Sequence, residues 1–245
     1  MRTPDLSVII PCYNEAKRLP ATLRDIAKYL ITSNLVVEII MVDDGSKDNT
    51  VEVATGMQKL LPMLRVLPFT KNQGKGHAVK HGMLASTGKY ALFMDADNST
   101  PVREVEKLLP YMSTHQVAIG SRHLHESDVV IKQPLYRIIL SRLGNLLIQA
   151  LLIRGIRDTQ CGFKLFTKAA AHNIFAKQRT TGFGFDMEVL AIAQSIFHYQ
   201  IKEVPVSWYN SKDSRVRPIH DAWRTLNDLF RIKHNLVTGV YKKNK

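Results

Sequence analysis

The sequence contains little cysteine and lacks the short motifs of several enzyme classes. Its 245 residues include two cysteines, Cys12 and Cys161, which are far apart and without metal-ligand spacing. Such a pair favours free thiols in a reducing compartment over a disulfide-bonded scaffold. No G-x-G-x-x-G follows the first apolar run, which argues against a nicotinamide or flavin enzyme. The absence of G-x-S-x-G argues against an α/β-hydrolase.

Long apolar runs are also absent. The N-terminal run ends at Pro11, too short for a signal peptide, and we interpret it as a first strand. The most apolar segment, 133–153, is interrupted by Arg137 and Arg142. A membrane-spanning helix needs roughly 18 or more apolar residues in a row. We therefore predict no membrane-spanning helix.

Positive charge is in excess. There are 34 lysines and arginines against 21 acids, which gives a net charge of +13 and implies an anionic partner. Nucleic acid, an acidic membrane surface and phosphorylated substrates all satisfy that requirement. The hydrophobic fraction of 45% is that of an ordinary folded protein with a substantial core.

The first half alternates short apolar segments with amphipathic ones. The predicted strands are "LSVIIP", "VVEIIMVDD", "LRVLPF", "YALFMDAD" and "QVAIGSR", each separated from the next by a helical pattern. Such alternation predicts a mostly parallel α/β sheet with helices on both faces. Two further strands, "KLFT" and "IKEVPVSW", are predicted in the second half, where a helix contains "FDMEVLAIAQSIF".

Acids gather where the predicted strands end. These ends carry Pro11–Glu15, Asp43–Asp44, Asp95–Asp97 and Ser121–Arg122. Ligands of parallel sheets bind at the carboxyl ends of the strands, so we expect a site at this edge. If the strand continues through "MDADNST", Asp95 and Asp97 point the same way, because residues two apart on a strand do so. A divalent cation between two carboxylates would explain the pattern, and so would a simple turn.

Several other residues have two interpretations. Asp43 and Asp44 could hold a base or ribose, while Ser46 or Asp48 caps the next helix. In "NQGKGHAVKHG", Lys75 lies between glycines before a helix, as in phosphate sites, although the P-loop pattern is incomplete.

The histidines and one later aspartate carry weaker signals. His77 and His81 lack the glutamate of a zinc motif, so we interpret them as surface or core residues. Asp158, considered alone, is a turn residue paired with Arg154 or Arg157.

The ordered segments "SVIIPCYNE", "VDDGSKDNT", "NQGKGHAVKHG", "MDADNST" and "GSR" resemble the nucleotide-sugar domain of family 2 glycosyltransferases. The later "IRDTQCGFKLF", "FDMEVL" and "EVPVSW" resemble the polyprenyl-phosphate sugar transferases within that family. The loop "IRDTQCGFKLF" and the later "S-R-V" look most like dolichyl-phosphate β-glucosyltransferases. The resemblance spans residues 5 to about 218. Many members carry membrane-spanning helices at one end, and none is predicted here.

The resemblance implies a GT-A, Rossmann-like sheet that binds a nucleotide sugar with Mg²⁺ or Mn²⁺. The residues implied in nucleotide-sugar binding are Pro11, Tyr13, Glu15, Asp43, Asp44, Lys75 and Asp95. Asp95 and Asp97 would be the metal-binding pair, with Asp97 the more direct ligand. Asp158 would lie near the reacting centre, and Arg122 and Arg215 would bind phosphate.

The implied reaction is metal-dependent, inverting transfer of a hexose to a polyprenyl or dolichyl phosphate. Glucose from UDP-glucose is the expected donor, and mannose from GDP-mannose is the alternative. A phosphate monoester is mostly a dianion at neutral pH and needs little help from a base. We therefore expect Asp158 to orient the acceptor or stabilise the sugar cation more than to remove a proton.

The lipid acceptor implies a membrane surface. We expect a transferase domain over 1–218, with 133–153 facing the membrane, followed by a basic amphipathic helix over 219–245. That closing helix could instead cover the sheet. The expected location is peripheral, at the cytoplasmic face of a membrane, with a separate membrane-spanning partner possible.

Two rival functions fit less well. A nucleic-acid-binding protein would need a basic stripe with stacking aromatics, whereas acids occupy the strand ends here. We therefore expect no nucleic-acid partner. A sugar nucleotidyltransferase would usually have a glycine-rich loop after the first strand, where this chain has "PCYNEAKR".

Overall fold

The structure is a computed structural model, and it describes residues 3–125, 127, 144–209 and 218–242. Within the last range, side chains are described from residue 224 onwards. Arg137, Arg142 and Arg215, together with most of the segment 133–153, lie outside the described residues.

Seven strands form a single sheet in the order β3-β2-β1-β4-β6-β5-β7. The strands are β1 Leu6–Cys12, β2 Val37–Asp43, β3 Leu64–Pro68, β4 Tyr90–Met94, β5 Val117–Ser121, β6 Phe163–Thr167 and β7 Ile201–Pro205. Only β6 runs antiparallel to its neighbours. The prediction of a mostly parallel sheet is confirmed.

Helices cover both faces of this sheet. They are α1 Leu19–Thr32, α2 Thr50–Met57, α3 Lys75–Leu84, α4 Val105–Leu108, α5 over 144–151, α6 Lys168–Lys177, α7 Phe185–Ser195 and α8 Pro218–Val237. Helices α1, α2 and α4 pack on one face, and α3 and α5 to α8 pack on the other. The strands read as continuous apolar runs because both of their faces are buried. In β1, Val8 and Ile10 enter the first core, and Ile9 between them enters the second.

The reversed strand β6 brings a distant loop to the edge where the parallel strands end. Phe163, the first residue of β6, pairs with Met94, the last residue of β4. The segment just before β6 therefore lies beside the residues that follow β4. The sequence predicted a strand here but not its direction, which is set by pairing with segments far away in the chain.

The closing helix packs on the core. Leu229 and Ile232 of α8, and Tyr241 beyond it, are buried in the second core, whereas Phe230 and Val237 are exposed. Part of its apolar stripe thus covers the sheet. The domain division at 218 stays a prediction.

Neither cysteine forms a disulfide, and no described helix could cross a membrane. Cys12 and Cys161 are buried free thiols, as predicted. Among the helices of the described ranges, none combines the length and the apolar character that a membrane span requires.

Candidate active site

Asp95 and Asp97 follow β4 at the carboxyl edge of the sheet, in a turn. Strand β4 ends at Met94, so the alternation expected for a strand does not set the directions of these two acids. The amide of Asp95 donates to the carbonyl of Gly162 at 3.2 Å, and Asp97 accepts from the amide of Ser99 at 3.0 Å. Each acid is thus positioned by its own backbone contact.

Each of these acids faces a basic side chain. Lys75 Nζ lies 2.6 Å from Asp95 Oδ1, and Arg18 Nη1 lies 3.8 Å from Asp97 Oδ2. These cations reduce the repulsion between two carboxylates that are close in sequence. Both acids remain open to solvent, because their side chains are 34% and 22% exposed.

A glycine from the loop before β6 supports this edge. A Cβ atom at position 162 would overlap the carboxylate of Asp95, so that only glycine lets the two segments approach so closely. The sequence "CGF" carried no such signal by itself, because the partner lies 67 positions earlier in the chain.

Lys75 opens helix α3 directly after Gly74, whose φ of 109° favours glycine. Its ammonium lies 5.2 Å from the centre of the Phe93 ring and 5.8 Å from that of Phe183. Burial opposes the charge, but the adjacent Asp95 carboxylate raises the pKa of Lys75. Lys75 is therefore a cation at the sheet edge.

Asp43 and Asp44 are both buried and shape the turns around them. Asp43 accepts hydrogen bonds from the amide of Ser46, at 2.9 Å, and from its hydroxyl. Asp44 accepts from the amides of Gln73 at 3.1 Å and Gly74 at 2.7 Å. Asp44 therefore fixes the glycine turn that places Lys75, and a contact with a nucleoside stays a prediction for Asp43.

The expected cap of α2, Ser46 or Asp48, is corrected: the N-cap residue is Asn49, and its side chain makes no capping hydrogen bond. Asp48 accepts from the amide of Thr50, the first residue of the helix, at 3.1 Å. Ser46 instead donates to Asp43 and accepts from the amide of Asn14, so it joins the ends of β1 and β2.

The end of β1 supplies the remaining candidates for nucleotide binding. Pro11 pairs with Val42 inside the sheet, and Tyr13 lies half-buried just beyond the strand. Glu15 accepts two hydrogen bonds from Arg18, at 2.6 and 2.5 Å. This pair was not predicted, and it links the first strand to the Asp97 turn.

Asp158 pairs with Arg122, which corrects the expected pairing with Arg154 or Arg157. Its Oδ2 accepts from Arg122 Nε at 2.8 Å and from the Arg122 amide at 2.9 Å, and its Oδ1 accepts from Arg122 Nη2 at 2.8 Å. The carboxylate is completely buried. Burial alone would raise the pKa of Asp158, but the guanidinium lowers it to about 2. Asp158 is therefore a fixed anion that holds Arg122 in place.

Arg122 keeps hydrogen-bonding capacity beyond this pair. Burial disfavours its charge, but Asp158 and, more weakly, Asp95 raise its pKa. The guanidinium lies 5.5 Å from the centre of the Trp208 ring. Two of its five N–H groups point to Asp158, and within the described ranges no hydrogen bond is made by the other three, which could bind an anion.

Glu203 of β7 holds the loop that carries Asp158. Its carboxylate accepts from the amides of Arg157 at 3.1 Å and Asp158 at 2.8 Å. Asn145 of α5 bonds to the carbonyl of Arg157 at 2.6 Å and to the Thr159 hydroxyl at 2.9 Å. The loop is therefore fixed from both sides, at the edge where the parallel strands end.

The sequence interpretation missed a buried ion pair, Lys164 with Asp186. Lys164 is fully buried in β6, contacts the Asp186 carboxylate and donates to the carbonyl of Cys161 at 2.5 Å. Burial raises the pKa of Asp186, and Lys164 counteracts this. A lysine between phenylalanines in "GFKLF" was the available signal, because a charge on a buried strand requires a partner.

His77 and His81 pack together on α3. Their ring centres are 4.4 Å apart, and both rings contact Phe69 edge-on. Burial lowers the pKa of His81, and the nearby His77 and Lys80 lower it further. No group of three metal-ligating side chains occurs within the part of the chain that the structure covers.

The two acids fit a hard divalent cation whose coordination a substrate completes. Mg²⁺ is commonly bound by one or two carboxylates together with substrate phosphates and water. Asp95 and Asp97 supply such oxygens and are reachable from solvent. Lys75 and Arg122 add positive charge at the same edge, which suits a diphosphate or another phosphorylated ligand.

A mostly parallel sheet with one reversed strand, partly exposed acids after β4 and a buried Asp–Arg pair agree with the GT-A glycosyltransferase fold that the sequence motifs predict. The chain belongs to glycosyl transferase family 2, whose family profile matches residues 7–175. It is therefore a glycosyltransferase, and the resemblance in the sequence motifs is confirmed.

Relatives match almost the whole chain. A dolichyl-phosphate beta-glucosyltransferase of Dictyostelium discoideum is 39% identical over 250 residues, which cover 97% of this chain and 76% of the relative. The proteins of that name from Saccharomyces cerevisiae and Homo sapiens are 38% and 36% identical and cover 98% of this chain. The alignments cover 77% and 78% of those proteins, respectively.

Solved structures share the fold at low sequence identity. Mannosyl-3-phosphoglycerate synthase from Rubrobacter xylanophilus matches with a TM-score of 0.72 at 15% identity, over 99% of this chain and 76% of that one. Glucosyl-3-phosphoglycerate synthase from Mycobacterium tuberculosis, in complex with Mn²⁺, UDP-glucose and phosphoglyceric acid, matches with a TM-score of 0.69 at 18% identity. That match covers 94% of this chain and 80% of the other. These structures confirm the GT-A fold.

Proposed function

We propose that this enzyme transfers glucose from UDP-glucose to a dolichyl or related polyprenyl phosphate, with inversion at the anomeric carbon and a divalent cation bound at the site. The observation that carries the proposal is the near full-length similarity to proteins named dolichyl-phosphate beta-glucosyltransferase. The partly exposed acids and the held arginine occupy one sheet edge, which suits this chemistry.

The donor half of the site is formed by the ends of β1, β2 and β4. Asp43 and the residues around Tyr13 would contact the nucleoside, and Asp44 positions the glycine turn of Lys75. A Mn²⁺ complex with UDP-glucose is known for a protein of the same fold, which supports a metal and a uridine donor here.

Asp95 and Asp97 would hold the cation. A divalent cation bound there would neutralise the charge that develops on the departing nucleoside diphosphate. Asp97 is the more available of the two, because its basic neighbour Arg18 is already bound by Glu15.

The acceptor half is centred on Arg122. Its N–H groups that do not point to Asp158 would bind and orient the phosphate of the lipid acceptor, whose own oxygen would attack the anomeric carbon as the nucleoside diphosphate leaves. Asp158 has its carboxylate committed to Arg122, and the guanidinium lowers its pKa, which makes it a weak proton acceptor at neutral pH. We infer that it acts by positioning Arg122.

A membrane surface would present the acceptor. Leu146 and Leu147 of α5 are 61% and 41% exposed, next to the Asn145 contacts with the Asp158 loop. The excess of positive charge would favour anionic headgroups. We propose that the enzyme works peripherally at the cytoplasmic face, where its free thiols would persist.

The test incubates the protein with polyprenyl phosphate, Mg²⁺ and, in separate reactions, radiolabelled UDP-glucose, GDP-mannose and UDP-galactose. We expect label from UDP-glucose to enter the lipid phase as a β-linked phosphate ester, and EDTA to abolish the transfer. Transfer from GDP-mannose but not from UDP-glucose would show that the transferred sugar is mannose, not glucose. Failure of all three donors would overturn the proposal.

A further inference from the structure

The ion pair between Lys75 and Asp95 occupies an oxygen that the proposed cation would need. Lys75 Nζ lies 2.6 Å from Asp95 Oδ1, a full hydrogen bond to one of the two metal-binding candidates. Both side chains are partly exposed, at 22% and 34%. The pair is thus accessible to a ligand from solvent.

The two acids differ in how firmly their basic neighbours hold them. Arg18 is bound at 2.6 and 2.5 Å by Glu15 and comes no closer than 3.8 Å to Asp97. Lys75 makes its close ionic contact with Asp95 itself. Asp97 is therefore available to a cation, whereas Asp95 is held by a competing charge.

We propose that Lys75 is the built-in counter-ion of Asp95, and that it makes the binding of a divalent cation depend on the nucleotide. This inference rests on the proposed function. Without nucleotide, Lys75 competes for Asp95 and weakens cation binding. With nucleotide, the diphosphate offers Lys75 another anionic partner and frees Asp95.

Electrostatics supports this dependence. An ammonium group and a divalent cation repel each other if they share one carboxylate. Lys75 also begins α3, where helix geometry favours a phosphate oxygen nearby. Because coupling between two ligands is reciprocal, the nucleotide must strengthen cation binding as much as the cation strengthens nucleotide binding.

The neighbouring lysine has a different role. Lys164 is fully buried and bound to Asp186 and to the Cys161 carbonyl, so it supports the fold. Both ammonium groups lie near the Phe93 ring, Lys75 at 5.2 Å and Lys164 at 5.8 Å from its centre. Of these two lysines, the partly exposed Lys75 is the one placed to exchange one anion for another.

The experiment measures Mn²⁺ affinity by electron paramagnetic resonance, with and without UDP, for the wild type and three variants. Lys75→Met removes the competing charge, Lys75→Arg retains it, and Lys89→Met removes an equal charge near Tyr90, at the opposite end of β4. In Lys75→Met without UDP, we expect Mn²⁺ to bind about tenfold more tightly than in the wild type. The enhancement by UDP should shrink accordingly.

Lys75→Arg and Lys89→Met should behave as the wild type does. Unchanged or weaker Mn²⁺ binding by Lys75→Met without UDP would overturn the inference, even if glucose transfer is lost. The proposed function would survive that result, with Lys75 then only a phosphate ligand. If neither the wild type nor any variant binds Mn²⁺ with UDP present, the metal component of the proposed function fails as well.

Circular dichroism and thermal unfolding confirm that each variant folds. If Lys75→Met is unfolded, Lys75→Gln replaces it, and the same affinities are measured. Loss of the fold in both variants would also overturn the inference, because a counter-ion at a half-exposed carboxylate is not required by the core.

Discussion

Single carboxylates at the sheet edge divide into those that hold protein groups and those that face solvent. Asp44 and Asp158 are buried, and their oxygens are occupied by backbone amides or by Arg122. Asp95 and Asp97 are partly exposed and each faces a cation. Burial and pairing, not residue type, therefore separate positioning residues from candidate ligands.

Asp158→Asn tests the positioning role. The amide keeps the size of the side chain but leaves the Arg122 charge without its buried partner, so we expect a loss of unfolding free energy of about 3 kcal/mol. Glucose transfer should fall about 100-fold, with UDP-glucose affinity nearly unchanged. Steady-state kinetics, UDP-glucose titration and urea unfolding measure these effects.

The matched control is Asp5→Asn, at the opposite end of β1, where Asp5 accepts from the Val36 amide. It should leave transfer unchanged. Wild-type turnover in Asp158→Asn, with donor binding intact, would remove Asp158 from any part in the reaction.

The same pair predicts how stability depends on pH. The pKa of Asp158 is lowered from 3.8 to about 2 on folding, so its contribution is present above about pH 4 and is lost as pH falls toward 2. The shift corresponds to about 2 kcal/mol. The difference in unfolding free energy between the wild type and Asp158→Asn should therefore be constant near neutrality and should narrow below pH 4. A difference independent of pH down to 2 would contradict this.

Asp97→Asn tests the proposed metal ligand. The amide oxygen can still accept from the Ser99 amide, so the turn and the unfolding free energy should be preserved. A neutral oxygen binds Mg²⁺ much more weakly than a carboxylate does, and we expect transfer to fall at least 100-fold. Full activity at unchanged Mg²⁺ concentration would exclude Asp97 as a metal ligand.

Whole elements are attached to the site by a few buried polar contacts. Glu188 in α7 accepts from the amides of Arg179 and Thr180 at 3.0 and 2.7 Å, and from the Tyr241 hydroxyl at 2.6 Å. It thereby joins the loop over α3 to the chain that follows α8. Strand β6 similarly brings Gly162 and Asp158 to the edge because it runs in reverse.

Tyr241→Phe removes the hydrogen bond to Glu188 and a weaker one from Asn235, at 3.3 Å, while keeping the ring that packs in the core. We expect a loss of about 1 to 2 kcal/mol in unfolding free energy relative to the wild type. Hydrogen exchange should become faster in α8 than it is in the wild type, and this acceleration should be larger in α8 than in α1. Tyr209→Phe, at a more exposed tyrosine, is the control and should change neither measurement. Uniformly faster exchange in both helices would contradict a local role.

Helix α5 has one face in the core and another that is open. Ile148 is buried, whereas Leu146 and Leu147 are exposed beside the Asp158 loop. Replacing both exposed leucines by serine should weaken binding to phosphatidylserine vesicles about tenfold and leave the unfolding temperature unchanged. Cosedimentation measures the binding.

The matched control for the leucines is Ile31→Ser with Leu60→Ser. These apolar side chains are also exposed, but they lie where α1 ends and before β3 begins, at the opposite edge of the sheet. Equal loss of vesicle binding in both double variants would show that exposed apolar area in general, and not α5, mediates the contact.

At the scale of the whole molecule, the net charge of +13 is the dominant property. We expect vesicle binding to require anionic lipid and to weaken several-fold between about 50 and 200 mM NaCl, because salt screens the attraction to headgroups. Neutral phosphatidylcholine vesicles are the control. Binding that is independent of salt and of lipid charge would contradict an electrostatic contribution.

Much of the fold could be predicted from the sequence, because burial on both faces makes strands continuously apolar and leaves helices amphipathic. The seven strands, the two cysteines as free thiols and the gathering of acids at strand ends all followed from such local patterns. The partner of Asp158 could not be predicted from such patterns. Arg154 and Arg157 are near it in sequence, whereas Arg122 reaches it through the arrangement of β5 and β6.

By itself, the sequence determined the α/β class, the family and the residues that collect at one edge, since these depend on periodicity and on motifs that are read locally. Only the tertiary structure decided that β6 is reversed, that Arg122 is held by Asp158, and that Lys75 forms an ion pair with Asp95. These contacts join segments that are distant in the chain. Their geometry follows from how the sheet and helices pack together, which no local pattern encodes.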